Sequence, residues 1–258
     1  MSPIRFDITG SVATVTLDRP DSHHALTGSD LERLFTLFGE VNDNLDLRAL
    51  VLTATGDRTF CSGASLTEIA EQTSGAKDKW TNHPLTDVSQ RLEMLRVPTI
   101  CALNGSVYGG GVELAMACDF RIGTRGMRCF IPPVRVGIHY PPSGLKLLET
   151  RLGISAAKRL ILAGETFDEP MLAHCDFCDW WADDDDATRA LATEKAASFA
   201  SFAPLPMEGM KRALNQIAHG DLDVSAANKM AGQCWASDDL QEGLAARSEK
   251  RAPVFKRK

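Results

Sequence analysis

Pro98-Thr99-Ile100-Cys101-Ala102-Leu103-Asn104-Gly105-Ser106-Val107-Tyr108-Gly109-Gly110-Gly111-Val112-Glu113-Leu114-Ala115-Met116-Ala117-Cys118 is the segment that decides the fold. It opens with an apolar run short enough to be a buried strand and ends in an apolar helical pattern from Val112 to Cys118. Between them stand three consecutive glycines. Without side chains, Gly109 to Gly111 let backbone amides come close to another group. The helix that follows adds unpaired N–H groups and a positive partial charge. Such a turn suits an anion or a developing oxyanion. It equally suits a tight packing turn, and local physics does not separate the two. The spacing is not that of a dinucleotide fingerprint, and no Gly-Lys-Ser/Thr follows, so it is not a phosphate-binding loop either. Glu113 lies in the first helical turn, where the dipole favours acid. Its apolar neighbours predict partial burial and a raised pKa.

Outward from this segment, strands and helices alternate. Ile4, Phe6 and Ile8, then Ala13, Val15 and Leu17, alternate as two strands about the Thr9-Gly10-Ser11 turn. After a loop over Arg19 to His24, Ser29 or Asp30 is expected to cap a helix running to about Val41. Ala49 to Thr53 reads as a buried strand, Thr86 to Leu95 as a helix, and Phe120 to Gly123 as a further strand. The polar stretch from about Gln72 to Pro84 lacks periodicity and reads as a mobile loop. Phe60-Cys61-Ser62-Gly63-Ala64-Ser65-Leu66 reads as a strand turning into a helix on small residues, a second place where an N–H can point outward. From Gly144 onward the chain is mostly helical, with three or four amphipathic helices after Ala187 and a solvated helix start at Asp183 to Asp186. The pattern predicts an α/β fold, with a core over 1–190 and a helical region over 191–258.

The 258 residues are 44% hydrophobic and 24% charged, as in a globular protein, and the net charge of −6 argues against a general nucleic-acid binder. No apolar run is long enough to span a bilayer, so no membrane partner is expected. The seven cysteines (Cys61, Cys101, Cys118, Cys129, Cys175, Cys178 and Cys234) are odd in number. The start, MSPIRFDITG, has no apolar run behind a basic cluster. Together these predict free thiols in a reducing, cytoplasmic compartment. Cys175 and Cys178 form a CxxC beside His174, but no second ligand pair follows at metal-binding spacing, so no metal site is expected.

In order along nearly the whole length, the chain resembles the crotonase, or enoyl-CoA hydratase/isomerase, superfamily. The resemblance is carried by Val15-Thr16-Leu17-Asp18-Arg19-Pro20, by Leu50 to Ala54 leading to Phe60-Cys61-Ser62-Gly63-Ala64, and by Val97 to Gly105 leading to Gly109-Gly110-Gly111-Val112-Glu113 and on to Asp119. Leu152-Gly153, Ala157, Gly164-Glu165, Arg247, Lys250-Arg251 and Pro253 to Lys256 continue it. The resemblance implies a crotonase-like spiral of ββα units with a C-terminal helical subdomain that forms trimers, often paired as hexamers. It places the two oxyanion-hole N–H groups at Ala64 and Gly110 and the first catalytic glutamate at Glu113. Ser62, Gly109 and the stretch Ala64-Ser65-Leu66-Thr67 would bind the acyl-coenzyme A substrate, which brings the only coenzyme expected. Lys250, Arg251, Lys256 and Lys258 would either meet its phosphates or form a solvated tail. The acyl pocket would be walled by the 72–84 loop and by Phe130 to Tyr140.

Several positions depart from the family. The second catalytic glutamate falls at 133, and residue 133 is proline, with no ionisable group and no N–H. His139 and Tyr140 follow Gly137, where the family has small residues or proline. His139 is either an acid/base or a packing or exposed loop residue, and Tyr140 either shapes the acyl pocket or donates a hydrogen bond. The resemblance therefore implies an acyl-CoA-processing lyase or isomerase with Glu113 as its sole catalytic carboxylate. The alternatives are a silent acyl-CoA binder and a CoA-ester decarboxylase or thioester hydrolase of the same fold.

Overall fold

The computed structural model describes residues 3–73, 83–131 and 133–258. The chain opens with a hairpin, β1 (Ile4–Thr9) and β2 (Val12–Leu17), followed by α1 (Gly28–Asp43), β3 (Ala49–Ala54), β4 (Thr59–Cys61), α2 (Leu66–Thr73) and α3 (Pro84–Glu93). Next come β5 (Thr99–Leu103), β6 (Ser106–Tyr108), α4 (Gly110–Ala117), β7 (Phe120–Thr124), β8 (Cys129–Phe130) and α5 (Pro142–Ile161). β9 (Thr166–Phe167), α6 (Glu169–His174), β10 (Trp180–Ala182), α7 (Asp185–Ala200), α8 (Pro204–His219), α9 (Val224–Trp235) and α10 (Asp238–Glu249) complete it. Residues 74–82 of the expected 72–84 loop lie outside the described residues. On either side of them, α2 ends at Thr73 and His83 caps α3.

The strands form two sheets, one in the order β1-β2-β3-β5-β7-β10 and the other β4-β6-β8-β9. β3-β4, β5-β6 and β7-β8 each place one strand in the first sheet and the next in the second, then run on into helix. That repetition is the spiral of ββα turns. Among the described residues only the β1–β2 and β8–β9 pairs are antiparallel. β3 is buried along its whole length because both faces of its sheet are covered. One face meets the main core with α1, α3, α4 and α5. On the other, Ala192 and Ala196 of α7 pack on Ala49, Val51, Ile100 and Ile122. Lys211 on α8 reaches into this framework. It donates to the Val97 carbonyl at 2.8 Å and pairs with Asp119 at 2.7 Å, while Asp119 also accepts from the Thr99 amide. The turn that ends α4 is thereby tied to β5 and to the C-terminal helices.

The α1 cap differs from the expectation of Ser29 or Asp30. Thr27 is the cap residue, and Asp30 reaches back from the third helical position to the Thr27 N–H at 2.9 Å, completing a capping box. Asp30 also takes a salt bridge from Arg19 at 2.6 Å. Burial pushes the Asp30 carboxyl up, but the bonds from Arg19 and Thr27 outweigh it and hold it below the usual carboxylate range. This pins the loop after β2. His23 and His24 stand there at φ of 53° and 52°, in the left-handed region. His24 Nδ1 accepts the Arg19 N–H at 3.0 Å, so its proton sits on Nε2, 3.1 Å from the Thr55 carbonyl it donates to.

A depressed carboxyl stabilises the fold above its unfolded pKa and ceases to as pH falls through the folded value. Asp30→Ala should therefore cost about 2 kcal/mol or more at neutral pH in urea unfolding. The difference from the parent should shrink below about pH 4, where the unfolded-state carboxyl protonates.

Candidate active site

The loop that Asp30 pins is the template for the segment after β4. The His23 carbonyl accepts from Ser62 N at 3.0 Å. Leu26 donates to the Gly63 carbonyl at 2.8 Å and accepts from Ser65 N at 2.9 Å. These bonds use the amides on either side of Ala64 and leave that of Ala64 itself turned away. Among the described residues neither the Ala64 nor the Gly110 amide has a protein acceptor. Both residues are half-buried.

The two segments meet backbone to backbone. A Cβ on Gly63, at φ +85°, would sit 2.4 Å from the Gly110 nitrogen. A Cβ on Gly111 would sit 2.4 Å from the Cys61 carbonyl oxygen, and one on Gly110 would sit 3.6 Å from Ala64 N and against Leu85 of α3. Gly109, the N-cap of α4, donates to the Phe130 carbonyl at 2.8 Å and packs on the Ser62 carbonyl. The triple glycine is thus a packing turn, and its Gly110 amide has no protein acceptor among the described residues.

Glu113 lies one turn into α4, 3% exposed. Burial pushes its carboxyl above the usual range, opposed by the hydroxyls of Tyr140 and then Ser89. Tyr140 reaches it from the loop before α5. A Cβ on Gly144 would fall 2.5 Å from the Tyr140 ring and 2.8 Å from Glu113 Oε2, so the two side chains share one wall. Burial, then the Glu113 charge, push the Tyr140 phenol well above its ordinary value and keep it protonated. Ser89 escapes a reading of the sequence. It stands on the apolar face of α3 among Leu85, Val88 and Leu92, and the one signal is a hydroxyl at a core position.

The other expected residues sit on the periphery. Ser65 Oγ accepts from Glu68 N at 3.4 Å at the head of α2; Leu66 opens that helix and Thr67 is exposed. His139 is exposed, with Nδ1 at 2.8 Å from the Tyr140 carbonyl. Pro133 is buried, and its carbonyl accepts from Val136 and Ile138 at 3.2 and 2.9 Å, closing a short 3-10 turn. Arg251 pairs with Glu242 and Glu249, and the backbone amides of Lys256 and Arg257 donate to Asp239, so the basic C-terminal segment folds back on α10. Cys175 and Cys178 are free thiols raised by burial, and no group of metal-ligating side chains occurs among the described residues.

Gly63→Ala and Gly111→Ala should each destabilise the chain by about 1–3 kcal/mol, since backbone and not a movable side chain blocks the new methyl. Gly232→Ala, with open space around it in α9, should be neutral or stabilising in the same thermal melts.

Comparison with known proteins accords with this geometry. The family model described as Enoyl-CoA hydratase/isomerase matches residues 7–258. The short-chain-enoyl-CoA hydratase of Clostridium acetobutylicum is 30% identical over 246 residues, covering 94% of this chain and 93% of that protein. The (E)-benzylidenesuccinyl-CoA hydratase of Thauera aromatica is 28% identical, with 98% and 99% covered. The crystal structure of an enoyl-CoA hydratase from Bacillus anthracis superposes with a TM-score of 0.86 at 28% identity over 100% of both chains. The chain belongs to the enoyl-CoA hydratase/isomerase family of the crotonase superfamily.

Proposed function

We propose that the protein processes an acyl-coenzyme A thioester, polarising its carbonyl with the Ala64 and Gly110 amides and moving a proton with Glu113. The observation that carries this is that two N–H groups without a protein acceptor among the described residues, those of Ala64 and Gly110, stand where the end of β4 meets the start of α4, with the buried Glu113 carboxyl one turn into α4. When a proton or substituent leaves the carbon next to a thioester, charge gathers on the carbonyl oxygen. Two fixed N–H donors and the positive end of α4 oppose that charge, and one such donor is worth on the order of 10²–10³ in rate. A carboxyl pushed up towards neutrality can deliver or accept the proton at the neighbouring carbon.

Glu113 is the sole catalytic carboxylate in this reading. Pro133 cannot share the proton traffic of hydration, so hydration through two carboxylates is not supported. Isomerisation, decarboxylation or thioester hydrolysis needs the oxyanion site and at most one proton carrier. Ser62, Gly109 and Ser65 to Thr67 lie along the coenzyme A in the reading, Tyr140 lines the acyl end and His139 stands at the rim. Exposed apolar residues on α8 to α10, among them Met210, Leu214, Ile217 and Trp235, support a homotrimer or homohexamer. Free cysteines throughout the described chain support a cytoplasmic setting. The proline also favours a second reading, a binder of acyl-CoA without turnover.

A panel of acyl-CoA esters incubated with the protein and followed by mass spectrometry decides between them. At least one ester should change mass, and Glu113→Gln should slow that reaction by about 10²–10⁴ while calorimetry shows ester binding retained. Binding with no product from any ester would establish the silent binder. Pro133→Glu should raise hydration of crotonyl-CoA by about tenfold or more, the worth of part of a restored acid/base pair.

A further inference from the structure

Buried polar side chains without a partner are few in a folded protein, and each costs about 1–3 kcal/mol. Among the described residues the Ser89 and Tyr140 hydroxyls are two of them, at 2% and 8% exposure. Tyr140, in the loop leading into α5, shares the wall at Gly144 with Glu113, and Ser89 lies on the buried face of α3, the helix packed against α4. Neither hydroxyl meets hydrogen-bond geometry with Glu113 or with any other group. Two orphaned hydroxyls converging on the one buried acid of α4 are not accounted for by packing. Gly144 adds to this, because any side chain there would push the Tyr140 ring and Glu113 apart.

We propose that Tyr140 and Ser89 are positioning residues for Glu113, two buried hydroxyls that close on its carboxylate and hold it in one orientation towards the Ala64–Gly110 amides. The inference rests on the reading of Glu113 as the proton-handling group. The surroundings of Glu113 leave these hydroxyls to do the work. α3 presents Ser89 and the loop before α5 presents Tyr140. A Cβ on Gly144 of α5 would fall 2.8 Å from Glu113 Oε2, and the Cys129 thiol of β8 raises the Tyr140 phenol. Among the described residues no lysine, arginine, histidine or second carboxylate acts on the Glu113 charge. Donors to a carboxylate favour its charged form, so the two hydroxyls set how far burial carries the proton affinity of Glu113.

The test is an infrared pH titration of the carboxyl bands of the full chain, with the Glu113→Gln spectrum subtracted to isolate Glu113. Removing a donor to the charged form raises the midpoint. Tyr140→Phe should move it up by about half a unit to one unit. Ser89→Ala should move it the same way by less, and Ser89→Thr, which keeps the hydroxyl, should return it to the parental value. A midpoint unchanged in both Tyr140→Phe and Ser89→Ala overturns the proposal. Should Tyr140→Phe fail to fold, the Ser89→Ala and Ser89→Thr pair decides it. Acyl-CoA turnover by Glu113→Gln at the parental rate would instead overturn the role of Glu113 in the chemistry, a separate outcome from the titration.

Discussion

Everything at the site depends on two stretches of main chain touching with no side chain between them. Gly63 lies against the nitrogen of Gly110, and Gly111 lies against the carbonyl of Cys61. The contact brings the end of β4 and the start of α4 together, with the Ala64 and Gly110 amides on either side of it. It also decides what the rest of the fold must do. β4 and β6 have to pair in parallel, which they do through Thr59–Ser106 and Cys61–Val107. The loop from Arg19 to Leu26 has to hold the other edge of the Ala64 segment. That loop bends through two histidines in the left-handed region, a strained arrangement held by the Arg19–Asp30 salt bridge and the His24 hydrogen bonds.

Glu113 sits on the same helix for a related reason. α4 is apolar on nearly all sides, and the core surrounds it. A carboxyl there loses hydration without gaining a cation, which makes it a poor ion and a useful proton carrier. The fold contains buried charge elsewhere, but handles it differently. Lys211 meets Asp119, Arg121 meets Asp179 and the carbonyls of Phe177 and Cys118, and Arg96 meets Glu208. Those groups are neutralised and structural. Among the described residues Glu113 has no such cation, and the Tyr140 ring is its neighbour at Gly144.

Much of the architecture was legible in the sequence because long periodic segments carry their own signal. The β1–β2 hairpin, α1, β3, β5 and α4 follow from alternation, apolar runs and the glycine turn. Of the second sheet only the strand ending at Cys61 was legible. β6, β8 and β9 are two or three residues long, too short for a period of two to register. The α1 cap was misplaced onto Ser29 or Asp30 because a capping box puts two suitable residues within one turn, and only backbone geometry says which side chain accepts from which amide. The family motifs marked Ala64, Gly110 and Glu113 by their order along the chain. Ser89 had no motif to mark it, and Tyr140 offered two readings of equal standing.

The sequence by itself determined which residue types stand where: glycines at the start of α4, an acid among apolar neighbours on that helix, and a proline at 133, where the family resemblance implies a second glutamate. These are properties of side chains and of their absence, and they hold before any folding. Only the tertiary structure decided which groups meet. Ala64 faces Gly110, and Tyr140 and Ser89 face Glu113, because hydrogen bonds and steric contact between distant segments act over a few ångströms in space, while sequence records only separation along the chain.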